Sequence, residues 1–300
     1  MMLRIASGAL QAELLPYGAA LHRLWVGKHQ VVAGLPDLAA YHAGRGYHGA
    51  VVGPVANRIS GAQAMIGEQL WRFDPNEGTT LLHGGEIGLH GRDWAVVDQG
   101  AAHVTFALDL GHCEGGFPGV RRIEARYSVD GLTLRLDLVA WSDRPTLMNL
   151  SSHIYWNLTG RANLYGHRLQ VAADQFVPVD ARLCPLGAPV AATGEMHLRE
   201  GRLLDGGPRY DHNFCLSVAR EALRPVAWLS AEGAPMMELA TTEPGLQVYD
   251  GGPTMFGLAL EPQCWPDAPN QPGYPPILLT PEDGPLMQVT EWRFTQPDGA

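Results

Sequence analysis

A histidine stands at the centre of the segment SSHIYWNL, residues 151–158. Read as a strand, the segment sends alternate residues to opposite faces. Ser152, Ile154, Trp156 and Leu158 make an apolar face suited to a core. Ser151, His153, Tyr155 and Asn157, extended upstream by Asn149, make a face of hydrogen-bonding groups. Four other segments concentrate polar residues. GPVANRISG (53–61) sets Asn57 and Arg58 before a turn, and LLHGGEIGLHGRDW (81–94) sets His83 beside paired glycines that let a ligand approach the backbone. YDHNF (210–214) leads Asp211 into a strand. LEPQCWPDAPNQPGYPPILLTPED (260–283) reads as a Pro-rich loop with Gln263 before it and two acids, Glu282 and Asp283, after it.

Each segment alone has an ordinary structural explanation. His153 can be a satisfied strand histidine, Arg58 the partner of a buried carboxylate, Asp211 part of an Asx turn, and Glu282–Asp283 a solvated loop. Together they supply histidine, carboxylates, arginine and amides. That inventory suits acid–base chemistry on a neutral, hydroxyl-rich ligand. Arg, Asn, Asp and Gln grip hydroxyls, an aromatic ring stacks on a sugar face, and a His–carboxylate pair moves protons. Other chemistries lack their signatures. The twelve histidines show no HExxH spacing and the cysteines no CxxC. The nucleophile elbow GxSxG and the phosphate-binding patterns GxGxxG and GxxxxGK[ST] are missing too.

The elements that must position these residues are short strands. GLTLRLDLVAW (131–141) alternates Leu132, Leu134, Leu136 and Leu138 with polar residues, and Asp130-Gly131 before it is a hairpin signal joining it to RRIEARYSVD (121–130). Further strands read at 104–110, 168–174, 213–218, 235–242, 246–251 and 288–294. Helical periodicity is thin, confined to 37–42 and 218–223. Long loops at 74–94 and 262–277 are rich in Pro, Gly, Asn, His and Asp, the kind of loop on which sites are built. With 36 Gly and 23 Pro at turn positions, the expectation is an all-β chain forming one large β-sandwich or barrel-like domain over residues 1–300.

Bulk properties narrow the classes. At 46% hydrophobic and 17% charged, the chain has material for a sizeable core and no signature of disorder. A net charge of −10 without a basic cluster argues against nucleic acid or an anionic membrane as partner. No segment reaches the roughly 20 apolar residues of a membrane span, and the N-terminus lacks the pattern of a secretory signal. Cys113, Cys184, Cys215 and Cys264 are scattered and are read as reduced thiols. A cytoplasmic protein, monomeric or homodimeric, is expected.

In the same order, ANR, LHGG, NLSSHIYWNL, DHNF, LQVYDG and LEPQCWPDAPNQP…PPILLTPED resemble the motifs of the aldose 1-epimerase (galactose mutarotase) family, over roughly residues 10–294. The resemblance implies a galactose mutarotase-like supersandwich with few short helices, a site in a cleft across one sheet, and cofactor-free interconversion of the α and β anomers of a free hexose such as glucose or galactose. By motif, His153 corresponds to the general acid that protonates the ring oxygen. Glu282 corresponds to the general base on the anomeric hydroxyl, and Asn57, Arg58, His83, Asp211 and Gln263 to substrate contacts. The family reads Pro-Gly-Glu where this chain reads Pro281-Glu282-Asp283, so alignment from the proline would select Asp283; residue type selects Glu282. Two alternatives stay open: a non-catalytic carbohydrate-binding module on the same fold, or a mutarotase for another sugar. A sugar phosphate is disfavoured because Arg58 is the only arginine near the expected site.

Overall fold

The computed structural model describes residues 1–44, 46–206 and 209–296. Strands dominate, and the longest helix among the described residues is the six-residue turn Leu38–Ala43, opened by Asp37, whose side chain accepts the Ala40 N–H at 2.9 Å. None of these helices is long and apolar enough to cross a membrane.

Nine antiparallel strands form the larger sheet. Their order is Ala95–Gln99, His103–Leu110, Arg121–Asp130, Thr133–Ser142, Leu286–Thr295, Met236–Thr241, Arg224–Ala231, His167–Val171 and Arg202–Leu203. The hairpin expected at Asp130-Gly131 is there, with Asp130 opposite Thr133 and register kept to Arg121 opposite Ser142. Strict alternation decides the fold here: along Arg121–Asp130 every second side chain from Arg121 is buried.

A six-stranded sheet carries the polar residues. Its order is Tyr155–Trp156, Leu258–Gln263, Gly245–Tyr249, Asp211–Cys215, Gln175–Phe176 and Val190–Ala191. A four-stranded meander runs through Leu3–Ser7, Leu10–Leu15, Ala20–Val26 and His29–Gln30. One core cluster draws on all three sheets, from Leu3 to Phe294, with Trp156 packed on Trp292 at 5.5 Å and on Phe294 at 5.9 Å between ring centroids. The apolar face read for the 151–158 segment therefore points inward.

Three expectations change. The 151–158 segment is not one strand: Ser151–Ser152 pairs with Val51–Val52, Tyr155–Trp156 pairs with 258–259, and His153 lies in the break. There the backbone is held instead by Gly49 N–H donating to His153 O and His153 N–H donating to Ala50 O, both at 2.8 Å. Residues 218–223 form bends rather than a helix. And the loop expected from 260 begins later, because Leu258–Gln263 is a fully buried strand.

Candidate active site

A cavity of about 420 Å³ opens over the six-stranded sheet, within the size range of small-ligand sites. Asn57, Arg58, His83, His153 and Asp211 line it, together with Glu77, Glu261 and the rings of Tyr47, Tyr155 and Tyr249. The polar face of 149–157 divides by task. His153 and Tyr155 face the cavity, whereas Ser151 Oγ donates to Pro262 O and Asn157 Nδ2 donates to Arg161 O and Phe256 O. Asn149 likewise accepts the Cys264 N–H at 2.8 Å.

Two of the residues expected here lie elsewhere. Glu282 is exposed on the short turn Pro281–Asp283 and takes no part in the cavity. Asp283 caps that turn, its Oδ2 accepting from Thr280 N–H and Oγ–H at 3.1 and 2.8 Å. A turn at the protein surface keeps both acids hydrated, so neither reaches a buried ligand. Gln263 is buried and does not line the cavity.

The carboxylate that does face His153 is Glu261. Its Oε1 lies 3.5 Å from His153 Nε2, and the two side chains are 2% and 5% exposed. The strand puts it there: Ala259, Glu261 and Gln263 share one face, while Leu258 and Leu260 enter the core. A buried carboxylate is costly unless it is paired or neutral. Burial, the largest effect, pushes the Glu261 carboxyl well above the usual carboxylate range; nearby Asp211 adds to this and Arg58 opposes it. Burial also drives His153 down to about 3, with His48 and His90 nearby adding to the fall. The two shifts run in opposite directions because burial favours the neutral form of both groups.

Asn57 and His83 are fixed against each other. His83 N–H donates to Asn57 O at 3.0 Å, and Asn57 N–H donates to His83 Nδ1 at 3.1 Å. Both residues adopt left-handed backbone, φ 61° and 50°, which costs energy for a non-glycine and concentrates at functional sites. Gly84 beside them must be glycine: a Cβ would sit 2.1 Å from Gly53 O. His83, His153 and Glu261 each bring one donor atom within 4.8 Å of the others, a spacing open to a cation. The Asn57 bond decides against it. With Nδ1 accepting, the neutral ring carries its proton on Nε2, so neither nitrogen of His83 offers a free lone pair. Burial holds that ring neutral, its pKa well below the usual range.

Arg58 donates from Nε and Nη2 to Glu77 at 2.6 and 2.9 Å, and Asp211 Oδ1 accepts from Gln247 Nε2 at 2.6 Å. Glu261, Glu77 and Gln247 are the functional candidates that the sequence reading passed over. The available signal for Glu261 was a lone acid between Leu260 and Pro262 in an otherwise apolar run.

The site thus joins a buried histidine–carboxylate pair to a cavity lined by Asn57, Arg58, His83, Asp211 and three tyrosines, an arrangement suited to acid–base chemistry on a polar ligand. The sequence profile for aldose 1-epimerase matches residues 1–283. A galactose mutarotase from Mus musculus is 33% identical, covering 96% of this chain and 92% of that protein. An aldose 1-epimerase from Escherichia coli is 29% identical, covering 88% and 85%. The GalM/aldose epimerase homologue from C. elegans superposes with a TM-score of 0.93 at 28% identity, over 99% of both chains. The chain belongs to the aldose 1-epimerase family.

Proposed function

We propose that this protein is an aldose 1-epimerase that interconverts the α and β anomers of a free, neutral hexose such as glucose or galactose, with Glu261 and His153 as its acid–base pair. The observation that carries the reading is the 3.5 Å approach of Glu261 Oε1 to His153 Nε2 in a buried cavity.

Anomer exchange is a proton-neutral isomerisation. Glu261 takes the proton of the anomeric hydroxyl as C1=O forms and the bond from C1 to the ring oxygen breaks, and the ring oxygen receives a proton from His153. Rotation about C1–C2 presents the other carbonyl face, and closure runs the same transfers backwards. The cycle starts with Glu261 ionised and the proton on His153, whereas burial favours the neutral form of each; the Arg58 guanidinium opposes burial at Glu261 and supports its charged form. Nε2–H of His83 donates to a sugar oxygen, and Arg58 and Asp211 hold ring hydroxyls. Glu77, Asp211 and Glu261 give the cavity three carboxylates against Arg58, itself paired with Glu77, which disfavours a phosphorylated sugar.

A cytoplasmic location, and action of the whole chain as one unit, monomeric or homodimeric, complete the reading. The four free cysteines agree with a reducing compartment. Polarimetry of freshly dissolved α-D-glucose and α-D-galactose tests the activity. Mutarotation no faster than in buffer, for every aldose tried, would sink it.

A further inference from the structure

Gln263, expected as a substrate contact, is fully buried and does not line the cavity, and among the described residues neither polar atom of its side chain has a hydrogen-bond partner. It is not alone there. Asn213 is equally buried with both side-chain polar atoms unpartnered, Gln247 Oε1 is unpartnered, and so is Glu261 Oε2. These groups share one face of three adjacent strands. Asn213 lies opposite Gln247, Gln247 opposite Glu261, and Gln263 opposite Gly245. Gly245 lets the row close up: a Cβ there would meet Asn213 Oδ1 at 2.6 Å and Nδ2 at 3.0 Å, so the Asn213 amide lies across the glycine on the side of Gln263. Trp265 covers the same spot, its Cδ1 2.9 Å from that Cβ position.

Buried polar groups in folded proteins are paired, and where protein atoms do not pair them, ordered water making about three hydrogen bonds does. Two amides with free donors and acceptors, beside a carboxylate with a free oxygen, are the partners such a water needs. We propose that Gln263 is a positioning residue for Glu261, acting through buried water shared with Asn213 and Gln247. The proposal rests on the role given to Glu261 above. The water bridge holds Oε2 from behind, which aims Oε1 at His153 and the anomeric hydroxyl, and its donors favour the ionised carboxylate. The row explains why a core strand keeps amides where leucine would pack without cost.

Gln263→Met keeps length and removes both hydrogen-bonding atoms. The variant melts within a few degrees of the parent, kcat falls about ten-fold for a displaced base, and KM stays within about three-fold. The acid limb of kcat/KM against pH moves upward, because the carboxylate has lost support for its charged form. The titratable groups facing Glu261 (His153, His83, Asp211, Arg58 and the three cavity tyrosines) are the same in parent and variant. A folded variant with parental kcat and an unmoved acid limb overturns the proposal, and so does a lower melting temperature with parental kcat, the mark of a purely structural amide. If the variant does not fold, a high-resolution crystal structure of the parent decides. Water within hydrogen-bond distance of both Gln263 and Glu261 Oε2 supports the proposal, and direct Asn213–Gln263 amide pairing without water overturns it. A parent that does not accelerate mutarotation instead overturns the functional reading, while the crystal structure still reports on the water.

Discussion

Asn57 and His83 hold each other by a reciprocal pair of backbone-donated bonds, one ending on a carbonyl and the other on the imidazole Nδ1. The pair joins two loops and fixes a tautomer in one stroke. His83 is thereby left with a donor, Nε2–H, and no free lone pair. His83→Leu should lower kcat/KM at least ~10-fold, since a donor bond to a buried acceptor is lost. Activity measured with added zinc or with EDTA should match the untreated enzyme. Activation by zinc would show that the ring offers a lone pair after all.

Glu261→Gln keeps shape and removes basicity, so turnover should fall by ~10²–10⁴-fold. His153→Asn should cost at least ~10²-fold in kcat with sugar binding retained. Glu282→Gln should leave turnover intact, and Asp283→Asn should alter only the local turn. Polarimetric kcat on the four variants ranks them. A severe loss in the Glu282 variant would return the base to the exposed turn.

Arg58 is clamped by Glu77, and the clamp sets which of its N–H groups stay free to donate into the cavity. Arg58→Ala should reduce kcat/KM ten-fold or more, a charge-assisted bond being worth roughly 1.5–3 kcal/mol. Glu77→Gln should act in the same direction and more weakly, through KM, because a neutral amide holds the guanidinium less firmly. An unchanged KM in the Glu77 variant would mean that the pair serves stability alone.

His90 is half-buried, and desolvation pushes it down to about 4. A folded pKa below the unfolded value of about 6.5 means that its stability contribution is complete above pH 6.5 and is lost as pH falls through 4. Glu261, Asp211 and Glu243 are raised, chiefly by burial, and act in the opposite sense over part of this range. A difference measurement isolates the histidine. Between pH 6.5 and 4 the parent should lose up to about 3 kcal/mol relative to His90→Gln in urea unfolding. Parallel stability curves would show that His90 titrates normally in the folded protein.

The long hairpin 121–142 was legible because period-two alternation persists for ten residues on each side of an Asp-Gly turn. Asn57, Arg58, His83, His153 and Asp211 were legible as polar density within turn-rich segments, and they share one cavity. Glu261 was not. Pro262, with Cys264-Trp265-Pro266 after it, made 260–283 read as loop, since proline is rare in an interior strand. The strand tolerates it because Tyr155–Trp156 pairs only as far as residue 259, leaving Pro262 without a ladder partner on that side. The residue that meets His153 was therefore hidden by local chemistry that the tertiary arrangement excuses. The N-terminal meander was missed for a simpler reason: its strands are buried on both faces for much of their length and do not alternate cleanly.

The break in the 151–158 segment also bears on how the molecule assembles. His153 is tied by its backbone to 49–50, while the carboxylate that faces it, Glu261, comes from 258–263 and the rest of the cavity from 57–58, 77, 83 and 211. Every one of these contacts closes a long loop of chain, the class of contact that forms slowly. The hairpin 121–142, by contrast, closes on itself. A refolding chain therefore regains turnover only after these distant segments have met, whereas the hairpin 121–142 can form from its own stretch of chain.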